Sequence, residues 1–226
     1  MASFGARVRR AFGPYERHVS ELYRRAFIDL DDLSRCIGDW HDPRAVLEIG
    51  CGEGALAERL MRDFPQAHYT GIDIIPHLGR MYEGPTENVT FQQITAEDLA
   101  EQKPGSFDLV VINDVMHHVP DDLRPGILQA AEALLQPGGV LVFKDWVRRT
   151  NAMTFMIYFT DAYIGGDKGV RYMPMDEQRD LIESTFGKAA IRAERSIRPW
   201  SQNHAFLIAK DGPKTTTIPG HTGPTA

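Results

Sequence analysis

The stretch Val46-Leu47-Glu48-Ile49-Gly50-Cys51-Gly52-Glu53-Gly54 constrains the fold more than any other part of this chain. A run suited to a buried strand passes directly into alternating glycines, and a helical pattern over residues 55–64 follows at once. Glycine belongs in such a turn because it lacks a Cβ, so it accepts positive φ at no steric cost and lets backbone amides approach a ligand. Read strictly, Gly50-x-Gly52-x-x-Ala55, with Asp73 19 residues past Gly54, also satisfies the dinucleotide-binding fingerprint. The glycines alone therefore do not discriminate between ligands. Glu48, two residues before the first glycine, does better: an anion beneath the turn repels a pyrophosphate and attracts a cation.

The same texture repeats downstream. Short apolar runs at 45–49, 69–73, 89–95, 107–113 and 140–144 alternate with helical patterns at 55–64, 76–82, 97–102 and 122–135. That is the signature of βα units with right-handed crossovers. A further helix is predicted over 176–186, and two final runs, 189–196 and 204–209, alternate well enough to pair as an antiparallel hairpin. The expected architecture is α/β: a doubly wound, mostly parallel, seven-stranded Rossmann-like sheet with a C-terminal antiparallel hairpin. Ahead of it, Val19, Leu22, Ala26, Leu30, Leu33 and Ile37 recur at helical spacing. They predict one helix from Tyr15 to a stop at Gly38, within an N-terminal helical cap over residues 1–42. Residues 1–210 are expected to form a single domain, with 146–175 as a lid-like insertion and 211–226 as a disordered tail.

Charge and cysteine content narrow the partners. Of the chain's 226 residues 25 are Lys or Arg and 31 are Asp or Glu, a net charge of −6 that provides no broad positive field for nucleic acid or anionic lipid. Cys36 and Cys51 form no metal-ligand spacing and fit a reduced compartment. No run approaches the roughly 18–20 apolar residues of a membrane span, so the expected location is cytoplasmic.

Four segments together resemble the motifs of class I S-adenosylmethionine-dependent methyltransferases. Val46 to Gly54 resembles the family's E/DxGxGxG loop, Gly71-Ile72-Asp73-Ile74 its second-strand acid, Phe107-Asp108-Leu109-Val110-Val111 its fourth strand, and Leu134-Leu135-Gln136-Pro137-Gly138-Gly139 the turn into its fifth. The resemblance covers residues 45–145 and implies S-adenosylmethionine as cofactor, S-adenosylhomocysteine as product and no metal. It implies that Glu48 holds the methionine amino group, while Gly50, Cys51 and Gly52 line the methionine and ribose. Asp73 would accept the ribose hydroxyls, Ile74 would pack on adenine, Ala96 would offer its amide to adenine, and Asn113 would sit near the methionine end. Thr95 departs from the Asp or Asn of many relatives; it can accept from the adenine amino group but is shorter and neutral, so either Glu97 takes that role or adenine affinity is weaker.

Methyl transfer from a sulfonium is an in-line displacement in which positioning supplies much of the rate, and a base helps when the acceptor is a hydroxyl or carbon acid. The candidates at the carboxyl edge of the sheet are His117, His118 and Asp145. Asp114, Asp121, Asp122 and Asp145 match no defined metal-ligand spacing, so no metal is expected. Trp146, Phe155, Tyr158, Phe159 and Tyr163 are candidates for the acceptor pocket, with Tyr15 reaching in from the N-terminal helix. The reading is a small-molecule methyltransferase acting on a moderately apolar metabolite, oxygen slightly ahead of nitrogen or carbon. A homodimer is compatible with it. A protein or RNA methyltransferase, and a protein using the bound cofactor for cyclisation or as a scaffold, stay open as alternatives.

Overall fold

The computed structural model describes residues 27–149 and 169–210. In chain order the elements are α1 (Leu30–Trp40), β1 (Ala45–Ile49), α2 (Ala55–Asp63), β2 (His68–Asp73), β3 (Val89–Gln93), α3 (Ala96–Gln102), β4 (Phe107–Asn113), a 3₁₀ turn (Met116–His118), α4 (Arg124–Leu134), β5 (Leu135–Trp146), α5 (Met175–Phe186), β6 (Ile191–Ser196) and β7 (Asn203–Ala209). The strands form one sheet in the order β3-β2-β1-β4-β5-β7-β6. Strands β1 to β5 run parallel, and β7 is antiparallel to both β5 and β6. This is the doubly wound, mostly parallel sheet that the alternating pattern predicts.

Both faces of the sheet are buried, which is why its central strands read as unbroken apolar runs. Side chains alternate along them. Leu47, Val110, Ile112, Leu141 and Phe143 pack with Leu99, Leu128, Leu134 and Ile182 of α3, α4 and α5. Val46, Leu109, Val111 and Val142 pack on the other face with Leu33, Ile37, Leu56 and Leu60 of α1 and α2. Asp108 ties the central strands together at their starting end, accepting from the amides of Arg44 (2.8 Å) and Ala45 (3.1 Å). Burial alone would raise this carboxyl, but His41 and the two amides hold it below the ordinary range.

Several boundaries differ from the sequence reading, each for a local reason. The helix expected from Tyr15 to Gly38 is interrupted: Asp29 caps a fresh helix by accepting from the amide of Asp32 at 2.9 Å, and that helix runs through Gly38 to Trp40. Residues 76–82 form turns, not the predicted helix. Their amides bond outward to the glycine turn, Gly79 N to Gly52 O (2.9 Å) and Met81 N to Glu53 O (3.0 Å). β3 stops at Gln93 because Thr95 begins the next helix as its cap. β5 starts earlier than expected, since Leu135 already pairs with Phe107 ahead of the Pro-Gly-Gly segment. Residues 1–26, 150–168 and 211–226, which hold most of the expected cap, the centre of the expected lid and the tail, lie outside the described residues. Among the described residues no helix is long and apolar enough to cross a membrane.

Candidate active site

The order of the sheet reverses between β1 and β4, and the carboxyl ends of the flanking strands converge on the glycine turn, the usual ligand crevice of an open α/β sheet. Gly50 and Cys51 both donate to Ile72 O, at 2.8 and 3.0 Å, which bends the chain over the end of β2. Gly50 takes φ +75°, and a Cβ there would lie 2.4 Å from Val115 Cγ2, so glycine is required by the approach of the chain leaving β4. At Gly52, with φ +52°, a Cβ would meet nothing within 4 Å. That side of the turn is open to a ligand.

Two acids flank the turn. Asp73 accepts from Gly52 N through Oδ2 (2.8 Å) and from Ile74 N (2.7 Å) and Ile75 N (3.2 Å) through Oδ1. It therefore holds the glycine turn and the next loop in one cradle. Ile74 beside it is 72% exposed and Ile75 after it 37%, so two apolar side chains lie bare beside the acid. Glu48 is 3% exposed and accepts from Tyr69 Oη at 2.5 Å. Desolvation raises its carboxyl to about 8, against the Tyr69 hydrogen bond, with Asp73 adding to the rise. A buried carboxyl with no cation beside it among the described residues is primed for a positively charged ligand group.

The remaining cofactor candidates divide. Asn113 ends β4, and its Oδ1 is buried without a hydrogen-bond partner among the described residues. Cys51 is buried, and burial raises its thiol far above the ordinary range. Thr95 uses its hydroxyl as the cap of α3, accepting from Asp98 N at 3.1 Å, which leaves its O–H and one lone pair uncommitted by that bond. Ala96 is buried at the first position of that helix, while Glu97 is exposed, with Oε1 near Gly126 of α4.

On the acceptor side, two separate candidates prove to be one unit. His117 Nδ1 lies 2.5 Å from Asp145 Oδ1, and the backbone N of His117 donates to Asp145 Oδ2 at 3.1 Å. Both side chains are at least 94% buried, and Trp146 N donates to Asp145 at 2.7 Å. Burial would raise Asp145, but the charge and hydrogen bond of His117, then Lys144, then the Trp146 amide reverse that and hold it below the ordinary carboxylate range. The His117 ring stacks on Tyr172, centroids 4.7 Å apart and planes 28° apart. His118 is exposed, its ring 4.1 Å from that of His117. Trp146 is buried against Tyr172, so its ring packs under the site. Tyr15, Phe155, Tyr158, Phe159 and Tyr163 lie outside the described residues.

Two groups escaped the sequence reading. Tyr69 was visible only as a strand residue, and its diagonal placement to Glu48 follows from the β1–β2 register. Lys144 sits wholly buried in β5 with Nζ 2.6 and 2.7 Å from the two oxygens of Asp114. Its signal was an ionisable residue inside the apolar run 140–146.

A family model described as a methyltransferase domain matches residues 47–141. A ubiquinone biosynthesis O-methyltransferase of Xanthomonas campestris pv. campestris is 37% identical over 180 residues, covering 73% of this chain and 71% of the relative. The chain belongs to the S-adenosylmethionine-dependent methyltransferases. A ubiquinone biosynthesis O-methyltransferase of Pseudomonas aeruginosa is 34% identical, over 58% of this chain and 59% of its own length, so the match spans about three fifths of that relative. In fold, this methyltransferase domain resembles the 1,6-didemethyltoxoflavin-N1-methyltransferase of Burkholderia thailandensis, solved with 1,6-didemethyltoxoflavin and S-adenosylhomocysteine bound. The TM-score is 0.63 at 16% identity, covering 94% of this chain and 92% of that one.

The donor set fits the family's cofactor. The buried carboxyl of Glu48 suits an ammonium, the open side of Gly52 beside the pinned Asp73 suits a ribose, and the bare Ile74 suits an adenine face.

Proposed function

We propose that this protein transfers the methyl group of S-adenosylmethionine to a hydroxyl of a small, moderately apolar molecule, with His117, oriented by Asp145, accepting the hydroxyl proton. The observation that carries this reading is the 2.5 Å contact of His117 Nδ1 with Asp145 at the ligand edge. An ionised Asp145 keeps the imidazole proton on Nδ1, which makes Nε2 the basic nitrogen and stabilises the imidazolium that forms. The charges around it agree. Asp114 and Asp145 face one lysine, Lys144, so the group carries one surplus negative charge until His117 takes a proton. The O-methyltransferase names of the two relatives support oxygen as the acceptor atom.

S-adenosylmethionine supplies the methyl group on its sulfonium. Glu48, held by Tyr69, would take the amino group, and the glycine turn would carry the methionine and ribose. Asp73 would receive the ribose hydroxyls, Ile74 would cover adenine, and Ala96 N and Asn113 would complete the contacts. His117 takes the acceptor proton as oxygen attacks, and buried Trp146 and Tyr172 keep water from the pair. No metal takes part in this scheme.

The test supplies methyl-labelled S-adenosylmethionine with a panel of small phenols and enols and follows labelled product. His117→Ala and Asp145→Asn are expected to lower turnover about 10²- to 10⁴-fold while cofactor affinity stays within about twofold. Full turnover in both variants, or methylation at nitrogen or carbon alone, ends this reading.

A further inference from the structure

Asp114, His117 and Asp145 each present a ligand atom within 4.8 Å of the others, a clustering that suits a divalent cation. A lysine already sits against that cluster. Lys144 is 0% exposed, and its Nζ lies 2.6 and 2.7 Å from the two oxygens of Asp114. The same two residues are joined again through the backbone, Asp114 N donating to Lys144 O at 3.0 Å. Asp114 also takes φ +55°, a left-handed conformation that few residues other than glycine, asparagine and aspartate adopt. Burial draws the Lys144 ammonium down from the ordinary lysine range, and the charge and hydrogen bonds of Asp114, then the charge of Asp145, oppose that. The Trp146 ring lies 5.9 Å from Nζ and adds a weak attraction for a cation.

We propose that Lys144 is the resident cation of this edge: fixed on Asp114, it supplies the positive charge that Asp114, His117 and Asp145 would otherwise draw from a divalent metal. Lys144 is thus a positioning residue, and the inference goes beyond the proposed reaction, resting on it only for the use made of His117. Two consequences separate this role from plain packing. With the lysine in place, a metal must displace an ammonium from both oxygens of Asp114. With the lysine neutralised, the buried Asp145, the part-exposed Asp114 and an imidazole are left without their internal cation, and a divalent ion becomes the favourable partner.

The experiment titrates Mn²⁺ into the full chain by calorimetry, comparing wild type with Lys144→Met and Lys144→Gln. Glutamine keeps a hydrogen-bond donor for Asp114, so it covers the case in which the methionine variant fails to fold. The expected result is Mn²⁺ binding at least about tenfold tighter in a folded variant than in wild type, lost again when Asp145→Asn is added. Equal Mn²⁺ affinity in wild type and variant, whether tight or undetectable in both, overturns the proposal. So does a gain that survives Asp145→Asn. Because the titration reads no turnover, its failure is distinct from failure of the proton-acceptor role, which is decided by the turnover of His117→Ala.

Discussion

Glu48 and Asp145 are both acids buried in the same sheet, and their surroundings treat them in opposite ways. Asp145 has a histidine, a lysine and two backbone amides to hold its charge; Glu48 has, among the described residues, one tyrosine hydroxyl, and its carboxyl is raised from 4.5 to about 8. For Glu48 the protonated form is the one that the fold favours. Its contribution to stability is complete below about 4.5 and is lost as pH rises through about 8. Glu48→Gln should therefore raise the melting temperature of the ligand-free protein, by more at pH 8 than at pH 5, while weakening S-adenosylmethionine binding about tenfold or more. A pH-independent difference in melting temperature would show that Glu48 is not buried as a neutral acid. Acids beside glycine turns and at strand ends are legible in the sequence because their spacing along the chain marks them. The partners are not: Tyr69 reaches Glu48 and Lys144 reaches Asp114 across strands, and only the register of the sheet brings them together. The cap at Thr95 was readable in principle, since Thr95 and Asp98 have the spacing of a helix-start motif.

At the level of elements, the glycine turn separates two roles by position. Gly50→Ala adds a carbon 2.4 Å from Val115 at φ +75° and should cost roughly 2–5 kcal/mol of stability, read by urea unfolding. Gly52→Ala meets no protein atom, so it should cost only the roughly 1–2 kcal/mol of its left-handed backbone while weakening cofactor binding more than tenfold. Equal effects of the two on binding would contradict the open side assigned to Gly52. Helix α1 depends on a different anchor. Asp32, 3% exposed, accepts from Arg195 Nη2 at 2.7 Å and Arg198 N at 3.0 Å, which fastens the helix to the far edge of the sheet. Asp32→Ala should lower stability by about 2–3 kcal/mol without changing cofactor affinity. Strands were the more legible elements here, since continuous apolar runs bounded by turns need no partner to be recognised. Residues 76–82 were misread because apolar spacing alone cannot show that their amides are claimed by the glycine turn.

For the molecule as a whole, the cofactor should act as a folding ligand. S-adenosylhomocysteine at about 100 times its dissociation constant should stabilise the chain by about 2.7 kcal/mol, a rise of roughly 5–10 °C in melting temperature. NAD(H) at the same concentration should produce no shift; a shift with NAD(H) alone would contradict the cofactor reading. The overall topology was legible because each βα unit announces itself, whereas the position of the reversed strand was not, since β7 pairs with β5 and β6 alike. That placement has a consequence for synthesis. β5, which carries Asp145, offers one hydrogen-bonding edge to β4 and the other to β7, yet β7 comprises residues 203–209. A nascent chain that has emerged only as far as β6 therefore presents a bare strand edge beside Asp145. Such an edge is a template for joining other chains. Chains cut before Asn203 should accumulate as aggregates, so the final seven-residue strand guards solubility as much as it completes the sheet.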